Sequence, residues 1–335
     1  MSKVAGGTGE FGTCSVFLRQ PSVHKEENKM SKVAVFGSFV VDLMARSPHL
    51  PVPGETVKGS MFKMGPGGKG FNQCVAAHKA GADVIMMTKL GRDSFANVAL
   101  DTMTELGMDK DHIFFSDDKE TGIALILVDE NTSQNEIIIV PGACNTITKE
   151  EIESIESVIK ESEYVLLQLE VNQDANEMVV DMANRYGCKV IVNTAPYSAI
   201  TDEFLSKVYM VTPNEVEAEE LTGIPVSDLE SAKKAAGFFY DKGVKKVIIT
   251  LGSRGVFVSS DGREEIVPAF KVDAIDTTGA GDAFNGGLLA ALAEGRDIWE
   301  AVRFANGLAA LSVQKLGTTP SMPVREDIDA FLGSH

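Results

Sequence analysis

The sequence predicts an α/β protein with a mostly parallel central sheet covered by helices on both faces, plus a small β-sheet lid. Two observations predict it. Short β-rich runs at 164–169, Lys189–Val192, 208–211 and 245–251 alternate with helical stretches, which is the rhythm of βαβ units. Two segments break that rhythm, and neither reads as a crossover helix: 47–64 is rich in Pro, Gly and Val, and 122–140 reads as a hairpin.

Taken in order, the first strand is expected at Val33–Phe36, a continuous apolar run. It follows a repeat: residues 1–5 read MSKVA and residues 30–34 read MSKVA again, which places the start of the folded body at Met30. Residues 1–29 hold Lys3, Arg19, Lys25 and Lys29 against Glu10, Glu26 and Glu27, so they carry +1 and the remainder −18. They lack the apolar segment of a secretory signal, and their acids argue against a transit peptide, so a disordered extension or cloning remnant is expected. The body, 30–335, divides into a core of 30–41, 67–119 and 143–335 and a lid of 42–66 and 120–142. Within the lid, 123–128 and 136–140 are the hairpin strands and 129–134 the polar turn. Runs 124–128 and 137–140 are apolar at every position, so both lid faces are expected to be covered, one by ligand and one by a partner lid in a homodimer. The last strong element is a small, apolar helix over 283–294.

The 335 residues are 44% hydrophobic, enough for a sizeable core, and 48 acids against 31 bases leave a net charge of −17. That charge repels polyphosphate chains and anionic lipid surfaces, so no nucleic-acid or membrane partner is expected. Apolar runs such as 165–167 and 247–249 fall far short of the roughly 20 residues of a membrane helix. Cys14, Cys74, Cys144 and Cys188 lie far apart with no C-x-x-C pair, which fits a reducing, cytoplasmic setting.

In a parallel sheet the ligand crevice lies beyond the carboxyl ends of the strands. Glu170, Asn193, Asn214 and Thr250 are the polar residues there, expected on one rim, with Asn193 read as an ordinary cap or turn residue. DTTGAGD at 276–282 sets Gly279, Ala280 and Gly281 where a helix begins, so their N–H groups and the positive helix end can face a phosphate. Asp282 beside such a pocket is either a general base for an attacking hydroxyl or a helix cap. GPGGKG at 65–70 formally matches the dinucleotide fingerprint, but Pro66 interrupts it and no strand plainly precedes it. It is better suited to bringing backbone amides and Asn72 to a polyhydroxyl ligand, with Lys69 either binding phosphate or merely solvated. TLGSRG at 250–255 and NEVE at 214–217 suit a nucleotide and its magnesium ion, the latter through Glu217; the plain alternative for NEVE is a solvated helix start.

Together, G-S-x-x-x-D at 37–42, GGKGFNQ at 67–73, QLE at 168–170, TPNEVE at 212–217, TLGSRG, and DTTGAGDAFNG at 276–286 resemble the ribokinase branch of the PfkB carbohydrate kinases, in order, over about 33–332. The resemblance implies a ribokinase-like three-layer fold and transfer of the γ-phosphoryl group of ATP to the 5-hydroxyl of a pentose. It makes Asp282 the catalytic base and Gly279, Ala280 and Gly281 the anion hole. Val40, Asp42, Gly67, Gly68, Lys69, Asn72 and Glu170 fall at sugar positions. Asn214, Thr250, Leu251, Gly252, Ser253, Arg254, Gly255, Gly281 and Asn306 fall at nucleotide positions, with Glu217 linked to Mg2+. A K+ site is implied at Asp276, Thr278, Ser312, Lys315, Gly317 and Ser321. Two residues depart from the pattern. Val40 stands where ribokinases commonly have Asn, and it cannot pair with a sugar hydroxyl; the 2-deoxyribose kinases carry an apolar residue there. Thr194 replaces the usual Pro in NTAP. The competing readings are a 2-deoxyribose 5-kinase, a nicotinamide-dependent oxidoreductase and a non-catalytic sugar-binding module.

Overall fold

Alternate residues of one short strand divide the hydrophobic core in two. In β1 (Val33–Phe36), Val33 and Val35 join a cluster formed with helices Lys69–Lys79, Ala280–Ala293 and Ile298–Ser312. Ala34 and Phe36 join the opposite cluster, with helices Lys149–Ser154, Gln173–Tyr186 and Leu229–Asp241. A strand apolar at every position needs cover on both sides, and three layers result. The computed structural model describes residues 6–7, 30–132 and 134–335. Apart from Gly6 and Gly7, the expected disordered extension at 1–29 lies outside the described residues.

Two lid strands follow β1: β2 (Val40–Ser47) and β3 (Met61–Gly67). The core resumes with β4 (Val84–Gly91) and β5 (Ile113–Ser116), and the lid with β6 (Thr121–Asp129) and β7 (Asn135–Gly142). Then come β8 (Tyr164–Leu167), β9 (Lys189–Val192), β10 (Met210–Val211), β11 (Lys246–Thr250), β12 (Val256–Ser260) and β13 (Arg263–Val267). The large sheet has the order β13-β12-β11-β10-β9-β8-β1-β4-β5. It is parallel except where β12 pairs with β11 and β13. Among the described residues no helix is long and apolar enough to cross a membrane.

The lid is a separate sheet of order β3-β2-β6-β7, in which β2 and β6 run parallel from Val40 opposite Gly122. The predicted hairpin is β6 and β7, antiparallel and longer at both ends than its apolar runs. Its turn is closed by Asp129, whose Oδ1 accepts the N–H groups of Asn131 (2.7 Å) and Thr132 (3.0 Å). Within one chain Phe62 on β3 is 67% exposed and Ile138 on β7 is 63% exposed. The apolar runs call for cover that this chain does not itself supply. At the lid root, Phe39 meets Phe71 edge to face with ring centroids 5.0 Å apart. That contact fixes the start of β2 against helix Lys69–Lys79 and contributes about 1 kcal/mol beyond burial.

Candidate active site

The site forms where the lid root meets the carboxyl ends of β1, β8, β9 and β10. Its centre is Asp282, in the first turn of helix Ala280–Ala293 and buried. That helix is rich in small residues because it packs closely: a Cβ on Gly286 would lie 2.4 Å from the Gln73 backbone oxygen. The close approach brings Asp282 within reach of two neighbouring side chains on helix Lys69–Lys79. Asn72 Nδ2 donates to Asp282 Oδ2 and Gln73 Nε2 to Asp282 Oδ1, each at 3.0 Å. Burial pushes the Asp282 carboxyl above the usual carboxylate range, while the Lys69 charge and these two N–H donors oppose it.

At the helix start, Ala280 N–H donates to Thr277 O at 3.2 Å. Of the three residues expected in the anion hole, Ala280 is the one whose amide has an acceptor within the chain. Among the described residues nothing accepts the N–H groups of Gly279, Gly281 or Asp282, and a Cβ on Gly281 would meet open space. These are the amides presented to the crevice.

The glycine-rich turn lies against the strand end as the sequence suggests. A Cβ on Gly70 would come 2.7 Å from the backbone of Gly37 and Ser38, so only glycine permits this approach. Lys69 N–H donates to Glu170 Oε2 at 3.0 Å, and Ser38 Oγ donates to the same oxygen. Lys69 is not a solvated loop lysine. Burial favours its neutral form, but the charges of Asp282, Glu170 and Glu217 outweigh that and raise its pKa. Asp42, on β2, faces the same space and is pushed up to about 7 by burial, with Thr318 opposing and Glu170 and Asp282 adding to the rise. Val40 is buried at the lid root, opposite Gly67.

On the far side, Asn214 and Thr250 form an isolated parallel bridge. Asn214 caps helix Glu215–Thr222: its Oδ1 accepts Glu217 N–H at 2.8 Å, and its Nδ2 donates to Glu217 Oε1 at 2.9 Å. NEVE is therefore a helix start, as its plain alternative has it, but not a solvated one, because Glu217 is buried. Gly252, Ser253 and Arg254 make a short 3-10 turn after Leu251, and Arg254 Nη1 donates to Ser227 O. A Cβ on Gly255 would lie 2.2 Å from Val267 O. Asn306 is buried on helix Ile298–Ser312 and donates to Pro268 O at 3.3 Å.

Asp276 ties two loops together, accepting Thr278 N–H at 3.0 Å and Gly317 N–H at 2.9 Å. These bonds, against the opposing effect of burial, hold its carboxyl below the usual range. Ser312 O accepts Lys315 N–H, and Ser321 N–H donates to Thr318 O. Among the described residues no group of three or more His, Cys, Asp or Glu could hold a metal.

Sequence reasoning missed several residues. Asn193 is no ordinary turn residue: it is buried, accepts from Gln73 and donates to Thr212 O. Gln168, Thr212, Asn285, Thr318 and Thr319 also bond within this region. Gln168, Thr212 and Asn285 stood inside recognised motifs, whereas Thr318 and Thr319 carried no signal beyond preceding Pro320. Thr194 is buried, and its hydroxyl has no partner among the described residues.

A crevice with a buried carboxylate, a helix start offering free amides and a polar rim under a β lid fits a carbohydrate kinase. The pfkB family carbohydrate kinase profile matches residues 30–325, and the chain belongs to that family. It is 41% identical to a ribokinase of Haemophilus influenzae, covering 90% of this chain and 98% of that one. It is 36% identical to a deoxyribokinase of Salmonella typhi, covering 90% and 98%. The structure of Arabidopsis thaliana ribokinase complexed with ribose and ATP matches with a TM-score of 0.84 and 29% identity, covering 91% of this chain and 99% of that one. The nicotinamide reading falls with the family and with topology: β3, before the GPGGKG helix, is an antiparallel lid strand and not part of a βαβ unit.

Proposed function

We propose that the chain transfers the γ-phosphoryl group of ATP to the 5-hydroxyl of D-ribose, giving ribose 5-phosphate. One observation carries the mechanism: Asp282 is buried at a helix start with both carboxylate oxygens held by N–H donors. With its pKa raised by burial, that carboxylate accepts the hydroxyl proton as the sugar oxygen attacks phosphorus. The amides of Gly279 and Gly281 stabilise the charge that develops. Asp42, Lys69, Asn72 and Glu170 orient the sugar, with the Gly67–Gly68 backbone and Val40 forming the pocket wall. Asn214, Thr250, Gly252, Gly255 and Asn306 border the nucleotide, with Leu251, Ser253 and Arg254 completing that loop. Glu217 would hold Mg2+ through water, and Mg2+ would neutralise phosphate charge. K+ would sit at the Asp276 loop with Thr278, Ser312, Lys315, Gly317 and Ser321, several of them through backbone carbonyls. The exposed lid faces support a homodimer through the lid, which sedimentation equilibrium reads directly.

Val40 favours a second reading, 2-deoxyribose 5-kinase, because a pocket wall without a polar partner does not penalise a missing hydroxyl. An unpaired buried hydroxyl costs about 1–3 kcal/mol. Initial rates on ribose and 2-deoxyribose at matched ATP, Mg2+ and K+ decide: ribose is expected to give the higher kcat/KM, and a preference for 2-deoxyribose overturns the first reading.

Asp42 sets a pH dependence. Its carboxyl pKa of about 7 leaves it protonated below neutrality and ionised above. Only the carboxylate accepts hydroxyl protons at both oxygens. The sugar KM is therefore expected to fall several-fold between pH 6 and pH 8. Asp42→Asn should flatten that profile, and a sloping profile in the variant assigns the titration elsewhere.

A further inference from the structure

The hydrogen bonds around Asp282 run in one direction. Two of their end points, the Thr212 backbone oxygen and the Asp282 carboxylate, can only accept. Asn193 Nδ2 donates to Thr212 O at 2.9 Å, which turns Asn193 Oδ1 toward Gln73. Gln73 Nε2 then donates to Asn193 Oδ1 and to Asp282 Oδ1, each at 3.0 Å. Gln73 Oε1 is left to accept from Gln168 Nε2 at 2.6 Å. Gln73, Asn193 and Gln168 are all buried. Flipping the Gln73 amide would set oxygen against oxygen among buried groups, at the cost of leaving them unpaired. A second arm comes from a different loop. Thr319 Oγ1 donates to Asn72 Oδ1 at 2.7 Å, closer than its other acceptor, Pro66 O at 3.5 Å, and this leaves Asn72 Nδ2 for Asp282.

We infer that Gln73 and Thr319 are positioning residues for phosphoryl transfer, which together oblige both oxygens of Asp282 to receive N–H groups and so hold it ionised and aimed. This rests on Asp282 being the base. The charged groups facing Asp282 are Lys69 at the start of its helix, Glu170 after β8, Asp42 on β2 and Glu217 on helix Glu215–Thr222. Lys69 alone among them favours the carboxylate; the three acids disfavour it. The amide donors act with Lys69 against these acids and against burial, and Thr319 connects the loop that contains Gly317 and Ser321 to the base.

The experiment is the pH dependence of kcat, with ribose and magnesium ATP, for the full chain and for Thr319→Val, Thr319→Ser, Gln73→Met and Asp282→Asn. Thr319→Val and Gln73→Met should move the acidic limb up by about one unit and lower kcat about tenfold below it. The KM for ATP should stay unchanged, and Thr319→Ser should restore the wild-type limb. A purely structural role predicts lowered thermal stability with the limb unmoved, and that result overturns the inference. An inactive Asp282→Asn beside an unmoved limb rejects the positioning role and leaves the base in place. Full turnover by Asp282→Asn rejects the base, and the inference falls with it. Should Gln73→Met fail to fold, Thr319→Val alone decides.

Discussion

Asp282→Asn is expected to lower kcat by roughly 10²- to 10⁴-fold while the sugar still binds. The substitution keeps the shape and removes the basic oxygen. Its amide N–H2 would also face the N–H groups of Asn72 or Gln73, each now donating at 3.0 Å. Steady-state kinetics set beside calorimetric titration of ribose separate the two effects. A kcat within fivefold of wild type would show that the proton goes elsewhere. The same pair of measurements tests the sugar-binding-module reading, which predicts no turnover by the wild type.

The second large effect is expected at Gly286. An added Cβ would lie 2.4 Å from Gln73 O and 2.5 Å from the Ala76 Cβ, so Gly286→Ala must push helix Ala280–Ala293 away from helix Lys69–Lys79. Overpacking of this kind costs about 1–3 kcal/mol, read as a lower urea midpoint. Because the displaced helix carries Asp282 away from its donors Asn72 and Gln73, kcat should fall about tenfold as well. Gly287→Ala is the control. Its Cβ would meet Ala305 and Leu308 at 3.1 Å, on the side of helix Ile298–Ser312, so it should lose less stability and keep its kcat. Equal kcat losses in the two variants would detach the helix spacing from the chemistry.

The sequence discloses what depends on local pattern. Four apolar positions in succession placed β1, alternation of runs gave the parallel sheet, and the 129–134 turn chemistry placed the lid hairpin. Asp282, Asn72, Lys69 and Glu170 were legible because each lies in a glycine-rich or strand-end motif, and the structure brings them into one crevice. What stayed hidden depends on partners distant in the chain. Gln73 and Asn193 are 120 residues apart, and neutral amides leave no charge pattern to reveal that they meet. Asn214 and Glu217 look like phosphate and magnesium groups at that spacing, yet the same spacing is a capping box, and the cap is what their side chains form. The Ala280 amide could not be assigned to Thr277 without knowing where the helix begins.

The lid also has a consequence for handling the protein. β3 and β7 are the two borders of its sheet, and β7 carries Ile137, Ile138, Ile139 and Val140 in succession, all exposed. A bare strand with that composition and an unpaired backbone edge is a template for cross-chain stacking, the geometry from which amyloid grows. Pro141 and Gly142 close the strand and limit its length, and Glu136 stands as a lone gatekeeper at the other end. Preparations in which this edge is left bare should therefore lose material to aggregation before they unfold.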